Sequence, residues 1–142
     1  VNFNLNYRDG DTFQAGGLQI QVFDGQSVIA SVNARSEQLQ TDGETITWTQ
    51  KLSIWGGTAI YRVKTGNSTT WGNFGGDELT VFFPTSLDDL NAYSPEISIS
   101  KSGVGWQSDH VSSMTLSQVR YYSDGTLVYT DSTPRTIQLT TP

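Results

Sequence analysis

Apolar and polar residues alternate with a period of two along much of this chain, and this alternation constrains it to β-strands. In residues 1–7, Val, Phe, Leu and Tyr alternate with three asparagines. Successive side chains of a strand point to opposite faces, so such a run predicts one buried face and one solvent-facing face. Turn signals such as Asp24-Gly25 and Asp124-Gly125 separate the runs. We therefore expect about nine or ten short strands, at the spacing typical of a β-sandwich or barrel.

The expected fold is an all-β antiparallel β-sandwich, jelly-roll-like, with two sheets of short strands. Ser, Thr, Asn, Gln and 14 glycines are abundant, and this composition favours strands and turns over helices. A chain of 142 residues is most simply one domain, so we expect a single domain over residues 1–142. No signal-peptide pattern is visible. Together with the Thr-Thr-Pro ending, this suggests a domain excised from a longer multidomain protein.

Charge and cysteine content narrow the classes of partner. The net charge is −6 and the eight basic residues are scattered along the sequence, whereas nucleic-acid binding needs clustered Lys and Arg. The same argument disfavours anionic membrane surfaces, and no apolar run is long enough to span a bilayer. The chain has no cysteine, which excludes a disulfide framework and a thiolate site. We expect a soluble monomer that binds neither nucleic acid nor membrane.

No group of residues predicts catalysis, so we expect that the protein is not an enzyme. Small β-sandwich glycosidases need two carboxyl groups facing each other across a cleft. The sequence has four glutamates, which are Glu37, Glu44, Glu78 and Glu96. Of these, Glu78 alone is predicted at an outward strand position near a candidate aromatic residue. The single histidine, His110, follows Asp109, but adjacent strand residues point to opposite faces and no Gly-x-Ser-x-Gly elbow is present.

The sequence predicts no cofactor, and we assign no metal ligand. Zinc lacks suitable ligands in this chain. A structural calcium ion stays an open alternative, because carboxylates, amide oxygens and backbone carbonyls suffice to bind it. Asp9 and Asp11 flank Gly10, and Asp88 precedes Asp89. Neither pair has the EF-hand spacing, and turn or helix-start roles explain both.

Aromatic rings next to glycines are the strongest functional signal in the chain. Trp55, Trp71, Phe74 and Trp106 each adjoin a glycine. Residues 65–77 contain two of these rings and four glycines, and we expect them to form a loop. Because glycine neighbours give a ring little packing support, we expect the three tryptophans to be exposed and retain Phe74 as a further candidate.

Exposed rings flanked by polar side chains are what a carbohydrate site requires. Sugars stack their C–H faces on flat aromatic rings, while their hydroxyls hydrogen-bond to Gln, Asn, Arg and Asp side chains. The candidate carbohydrate-binding residues are Trp55, Trp71, Asn73, Phe74, Trp106, Gln107, Arg120 and Tyr122. Trp48 is left out of this set, because it shares strand parity with Leu52 and Ile54 and is predicted to face the core.

In these rings and their neighbours the chain resembles the non-catalytic carbohydrate-binding modules of bacterial plant-cell-wall-degrading enzymes. The resemblance is a pattern over the whole chain, carried by Trp55, Trp71 and Trp106. It implies a β-sandwich that binds β-glucan, xyloglucan or a related hemicellulose, is secreted, and is covalently linked to catalytic or other modules. Two alternatives stay open, namely a structural or adhesive β-sandwich domain of a surface protein and a small glycoside hydrolase.

Overall fold

The computed structural model describes residues 1–5, 17–37, 43–92 and 113–138. Within these ranges the protein is nearly all β, with several antiparallel sheets, and this confirms the predicted fold class. The chain divides into two compact units, Val1–Ala92 and Tyr93–Pro142, and each unit is described by itself. The expectation of one domain over residues 1–142 stays a prediction.

Strands and their connections make up the described part of both units. The strands of the first unit are β1 (Asn2–Leu5), β2 (Leu18–Asp24), β3 (Ser27–Ala34), β4 (Thr47–Trp55), β5 (Thr58–Ser68), β6 (Gly72–Phe74) and β7 (Thr80–Pro84). A 3-10 turn spans Gly76–Leu79, between β6 and β7. The strands of the second unit are β8 (Ser113–Leu116), β9 (Val119–Ser123), β10 (Thr126–Asp131) and β11 (Arg135–Gln138).

Two antiparallel sheets form the first unit. One has the order β1-β2-β3, and the predicted hairpin at Asp24-Gly25 joins β2 to β3, with Asp24 paired to Ser27. The other is built on β5, which pairs with β4 along one edge and with β6 and β7 along the other. β5 is therefore the central strand of the second sheet.

The core of the first unit lies between the inner faces of these two sheets. Leu18, Ile20 and Val22 of β2 are buried against residues of the second sheet that include Tyr61 and Val63. Fully burying an aliphatic side chain of this size contributes about 1.5–3 kcal/mol. The first unit is thus a small sandwich whose two sheets share one apolar layer.

Trp48 faces this core, as its parity predicts. It packs against the buried cluster, and its ring meets the edge of Phe3 with centroids 5.5 Å apart. Its indole Nε1 donates a hydrogen bond to Gln50 Oε1 at 3.3 Å. Trp48 therefore has the partners that a half-buried indole needs, for its apolar body and for its N–H.

Residues 65–77 are not the loop that their composition predicts, and that prediction was wrong. β5 continues to Ser68, and Gly72–Phe74 returns beside it as β6. We call residues 66–74 the core hairpin. A Cβ atom on Gly66 would overlap the ring of Phe74, so this glycine provides space for a close-packed ring rather than a flexible break.

Trp71, which was expected to be exposed, and Phe74, the further candidate, are both buried, so their prediction as carbohydrate-binding residues was wrong. Only 3% and 4% of their surfaces are exposed, and their rings meet edge to face with centroids 6.2 Å apart. Trp71 Nε1 donates a hydrogen bond to the Glu37 carbonyl at 2.7 Å. An indole whose N–H is satisfied can be buried at little polar cost, so both rings belong to the core.

The second unit consists, in its described residues, of two antiparallel strand pairs. β11 pairs with β8, and β9 pairs with β10. The predicted hairpin at Asp124-Gly125 is confirmed, with Ser123 paired to Thr126 across it. Asp124 and Gly125 both have positive φ, 48° and 80°, as a tight two-residue hairpin turn requires.

Candidate functional site

Trp55 is highly exposed, with 84% of its surface in contact with solvent. It is the last residue of β4 and pairs with Thr58 across a two-residue turn. Gly56 and Gly57 have φ values of 58° and 77°, the combination that a type I′ turn requires and that glycine adopts without strain. The predicted exposure of Trp55 is confirmed, and we call residues 55–58 the Trp55 turn.

The outward side chains of β4, β5 and β7 form one surface, which we call the outer face. Inward residues of the same sheet, such as Tyr61 and Val63, are buried, and strand alternation places their neighbours on the opposite side. The pairing register arranges the outward residues in rows across the strands. From one end, the rows are Trp55, Thr58 and Pro84; then Ser53, Ile60 and Phe82; then Lys51, Arg62 and Thr80; and then Thr49 and Lys64.

One end of the outer face is apolar and aromatic. Phe82 is 60% exposed, and the half-buried Ile60 lies between its strand and that of Trp55. Trp55 and Phe82 are two strands and one row apart, which separates their Cα atoms by about 12 Å. The two rings therefore border an apolar surface longer than a single sugar ring.

The middle of the outer face is basic. Lys51 lies directly opposite Arg62, and Lys64 lies in the next row. Arg62 Nε donates a hydrogen bond to Thr80 Oγ1 at 2.7 Å, and Arg62 Nη2 lies 3.8 Å from a carboxylate oxygen of Asp77. Thr80 thus fixes the guanidinium on the sheet surface, while the ammonium groups of the two lysines extend from exposed positions.

The other end of the outer face carries amides. Beyond a register shift, Thr47 pairs with Asn67, and Asn67 pairs with Asn73. All three are exposed, and Asn67 Nδ2 donates a hydrogen bond to Asn73 Oδ1 at 2.9 Å. Two of the predicted site residues, Trp55 and Asn73, thus lie on the outer face. They lie at opposite ends, about 27 Å apart along β4, so a single sugar could not contact both.

Two other predicted site residues lie in the second unit. Arg120 and Tyr122 are exposed and share one face of β9, because they are two residues apart on a strand. Tyr122 pairs with Leu127, and Arg120 pairs with Thr130. The last two predicted residues, Trp106 and Gln107, lie outside the described residues.

The described glutamates have structural partners. Glu78 belongs to the 3-10 turn rather than to an outward strand position, so that prediction was wrong, and Arg35 Nε and Nη2 both donate to its carboxylate at 3.1 Å. Hydrogen bonds from backbone N–H groups, that of Ser36 first, hold the pKa of Glu37 below its ordinary value. Glu96 and His110, also considered for catalysis, lie outside the described residues.

Metal binding has little support within the described ranges. No group of three or more His, Cys, Asp or Glu residues there could hold a metal ion. Asp89 accepts hydrogen bonds from the backbone N–H and the side-chain amide of Asn91, at 2.9 and 2.8 Å, and this is a turn role. Asp9 and Asp11 lie outside the described residues, so a calcium ion there stays a prediction.

Sequence reasoning missed the basic residues of the outer face and undervalued Phe82. Phe82 is predicted to face outward because its neighbours on the strand, Val81 and Phe83, face inward. Strand parity alone does not show, however, that most of the Phe82 ring is exposed to solvent. The pairing of the basic residues on the outer face could have been predicted from the sequence. Once Gly56 and Gly57 are read as a two-residue turn, Trp55 must pair with Thr58 and Lys51 with Arg62.

Comparison with protein-family models, with characterised proteins and with solved structures returned no match. Within the described residues, no helix has the length and apolar character needed to cross a membrane. The geometry and chemistry of the outer face are therefore the observations that bear on function.

Proposed function

We propose that this protein binds polysaccharide chains without cleaving them, and that the outer face is its binding surface. The observation that carries the proposal is the exposure of Trp55 on the same sheet surface as the exposed ring of Phe82. Large apolar side chains that remain together in water mark interaction sites. Both rings belong to strands, so little conformational freedom is lost when a ligand stacks on them.

The chemistry around the rings fits a sugar chain. Pyranose rings offer C–H faces for Trp55 and Phe82, and their hydroxyls can hydrogen-bond to Ser53, Thr58 and the other polar side chains of the face. The length of the face favours an extended ligand over a single sugar. We propose a hemicellulose or β-glucan chain of the plant cell wall, bound by one module of a secreted multidomain protein.

Binding without hydrolysis is the proposal because the described glutamates already have other roles. Glu78 is clamped by Arg35, and Glu44 accepts hydrogen bonds from Thr70 N–H and Oγ1 at 2.8 and 2.7 Å. A glycoside hydrolase needs one carboxyl group free to protonate the leaving oxygen and a second that is free to act as base or nucleophile. Release of reducing sugar from β-glucan, xyloglucan, xylan or mannan would contradict this part of the proposal.

A structural or adhesive role is the second candidate, and the β9–β10 hairpin favours it. Tyr122, Leu127, Val128 and Tyr129 are each at least 50% exposed there. Apolar side chains exposed on both sides of one hairpin would suit packing between neighbouring protein domains. This candidate predicts no affinity for soluble polysaccharides.

Affinity electrophoresis in gels that contain β-glucan, xyloglucan, xylan or mannan tests the proposal. We expect retardation in at least one gel, and we expect Trp55→Ala to lose about 1–3 kcal/mol of binding, a roughly 5- to 150-fold loss of affinity. Phe82→Ala should act in the same direction. Phe23→Ala is the matched control, because Phe23 is an exposed ring on the other sheet.

The outcomes separate the two candidates. Retardation that Trp55→Ala abolishes and Phe23→Ala leaves intact supports carbohydrate binding by the outer face. If no gel retards the folded wild-type protein, the proposal is wrong and the adhesive role is favoured. If both ring variants bind like the wild type, a different surface binds the sugar.

A further inference from the structure

Three of the eight basic residues of this acidic chain lie together on the outer face. Lys51, Arg62 and Lys64 occupy adjacent rows, although the net charge is −6. Neighbouring strands are about 5 Å apart and successive rows about 7 Å apart, so the three charges belong to one small patch. The patch is therefore opposite in sign to the net charge of a chain with 14 acidic residues.

The arrangement carries an electrostatic cost for the free protein. Lys51 and Arg62 are directly opposite each other on adjacent strands, and like charges in that position are destabilising. In the described part of the chain neither lysine has an ion-pair partner. Asp77 approaches Arg62 only at 3.8 Å, with a fully exposed side chain, so it compensates the patch weakly.

The basic patch continues directly from the aromatic end of the outer face. Phe82 lies one row from Arg62, and Ser53 lies between Trp55 and Lys51 along β4. Trp55 and Phe82 are separated mainly across the strands, and each ring lies within two rows of the patch. A sugar chain that runs along the strands from either ring would therefore place its next units over the patch. Neutral sugars would not relieve the repulsion there, whereas a carboxylate attached to the chain would.

We propose that the preferred ligand of the outer face is an acidic polysaccharide, in which uronic acid carboxylates pair with Lys51, Lys64 and Arg62 while a neighbouring sugar ring stacks on Trp55 or Phe82. The inference rests on the proposed function and narrows its ligand class. Arg62 is pre-positioned by Thr80 to offer its remaining N–H groups to a carboxylate, the group that a guanidinium fits best.

A polysaccharide fits this patch better than a nucleic acid does. Duplex DNA carries one charge per about 1.7 Å of its axis, and binding it depends on many simultaneous phosphate contacts. Three basic groups on a protein with a net charge of −6 provide few such contacts and add long-range repulsion. A uronic acid chain spaces its carboxylates by whole sugar rings, which matches a small patch beside stacking rings.

The test compares glucuronoxylan with the same polymer after its carboxyl groups have been reduced to alcohols. We expect the acidic form to bind about tenfold more tightly at low salt, because each exposed pair contributes up to about 1 kcal/mol. The preference should shrink as salt is added, since exposed charges are screened over about 10 Å at 0.1 M ionic strength. Titration calorimetry of the whole protein measures both affinities.

Variants assign the preference to the patch. Lys51→Gln combined with Lys64→Gln should remove most of the tenfold preference, because it weakens binding of the acidic polymer much more than binding of the reduced polymer. Arg135→Gln is the control for net charge, because Arg135 pairs with Asp131 in the second unit. Trp55→Ala should weaken binding of both polymers by the same factor. Circular dichroism of each variant confirms that the fold is intact.

The possible outcomes test the acidic ligand, the proposed polysaccharide binding and the nucleic-acid alternative separately. Equal affinity for both polymers, lost in Trp55→Ala, would overturn the acidic ligand and leave the proposed function intact. Absence of binding to either polymer and to the neutral panel would overturn the proposed function itself. A single-stranded oligonucleotide bound more tightly than glucuronoxylan, through the same two lysines, would overturn the polysaccharide in favour of nucleic acid.

Discussion

Trp55 and Trp71 have the same local sequence, a tryptophan followed by glycine, yet 84% of one and 3% of the other is exposed. Trp71 follows a turn in which its own N–H donates to Ser68 Oγ at 2.8 Å, and its indole N–H reaches the Glu37 carbonyl. Trp55 stands at the end of a strand with outward parity. Strand parity and a nearby acceptor therefore decide burial, and the neighbouring glycine does not.

The glycines of the two regions have different functions. Gly56 and Gly57 both have positive φ, so they shape the Trp55 turn and fix the register of β4 against β5. Gly66 lies within a strand and makes room for the ring of Phe74. The core hairpin therefore uses glycine for packing, and the Trp55 turn uses it for backbone conformation.

The largest expected effect follows from removing the indole ring of Trp71, the buried one of the two tryptophans. Trp71→Ala should destabilise the first unit by about 3–5 kcal/mol, because it opens a cavity and removes the indole hydrogen bond to the Glu37 carbonyl, which among the described residues keeps only the Gly17 N–H as a donor. Urea denaturation followed by circular dichroism measures the loss. A change below about 1 kcal/mol would show that Trp71 is not the core residue described here.

The next largest effect tests the close contact between Gly66 and the ring of Phe74 in the core hairpin. Gly66→Ala should cost about 1–3 kcal/mol, because the added methyl group overlaps the buried Phe74 ring. Combining it with Phe74→Leu should cost less than the sum of the two single changes, since the smaller side chain yields space. Additive costs in this double-mutant cycle would argue against the contact.

The elements predicted correctly from sequence depend on local patterns. The hairpins at Asp24-Gly25 and Asp124-Gly125 and the inward and outward parities of Trp48 and Trp55 follow from period two and from turn chemistry. The core hairpin was missed because its cause is tertiary. The ring of Phe74 needs a missing Cβ eight residues earlier, and no composition rule distinguishes that glycine from one in a flexible loop.

The candidate site was predicted only in part, because local patterns reveal Trp55 whereas the basic patch depends on contacts between residues distant in sequence. Trp55 was found because a ring at an outward strand end needs no knowledge of distant residues. The basic patch was missed because Lys51 and Arg62 are eleven positions apart in sequence and meet only through the register of the Trp55 turn. Basic residues that are scattered in sequence are clustered in space, so an argument from net charge alone overlooked them.

A smaller effect is expected from Glu44, whose carboxylate accepts hydrogen bonds from Thr70 of the core hairpin. Burial raises the pKa of Glu44, but hydrogen bonds from Thr70 outweigh this and leave the pKa below its ordinary value. The folded state therefore gains stability from the ionised carboxylate above the unfolded pKa of about 4.3 and loses it as the pH falls through the lower folded value. Wild type should exceed Glu44→Gln in stability by up to about 1 kcal/mol at pH 7, because the carboxylate is mostly solvated.

Thermal or urea denaturation of both proteins between pH 7 and pH 3 measures that difference. This difference should shrink as the pH falls below the unfolded pKa of about 4.3 and through the lower folded value. Thr70→Val removes the hydroxyl donor and keeps the N–H, so its pH dependence should lie between those of the other two proteins. A difference that grows on acidification would contradict the lowered pKa of Glu44.

The smallest expected effect completes the comparison between the two tryptophans. Trp55→Ala should change the free energy of unfolding by less than about 0.5 kcal/mol, because a side chain that is 84% exposed has little burial to lose. Paired with Trp71→Ala in the same denaturation series, it contrasts two identical substitutions at Trp-Gly sequences. Equal destabilisation by both would mean that Trp55 also supports the fold, and its exposed area would then no longer argue for a ligand. A negligible cost, in contrast, would show that folding stability does not account for this exposed ring at a strand end, and its exposed area would continue to argue for a ligand.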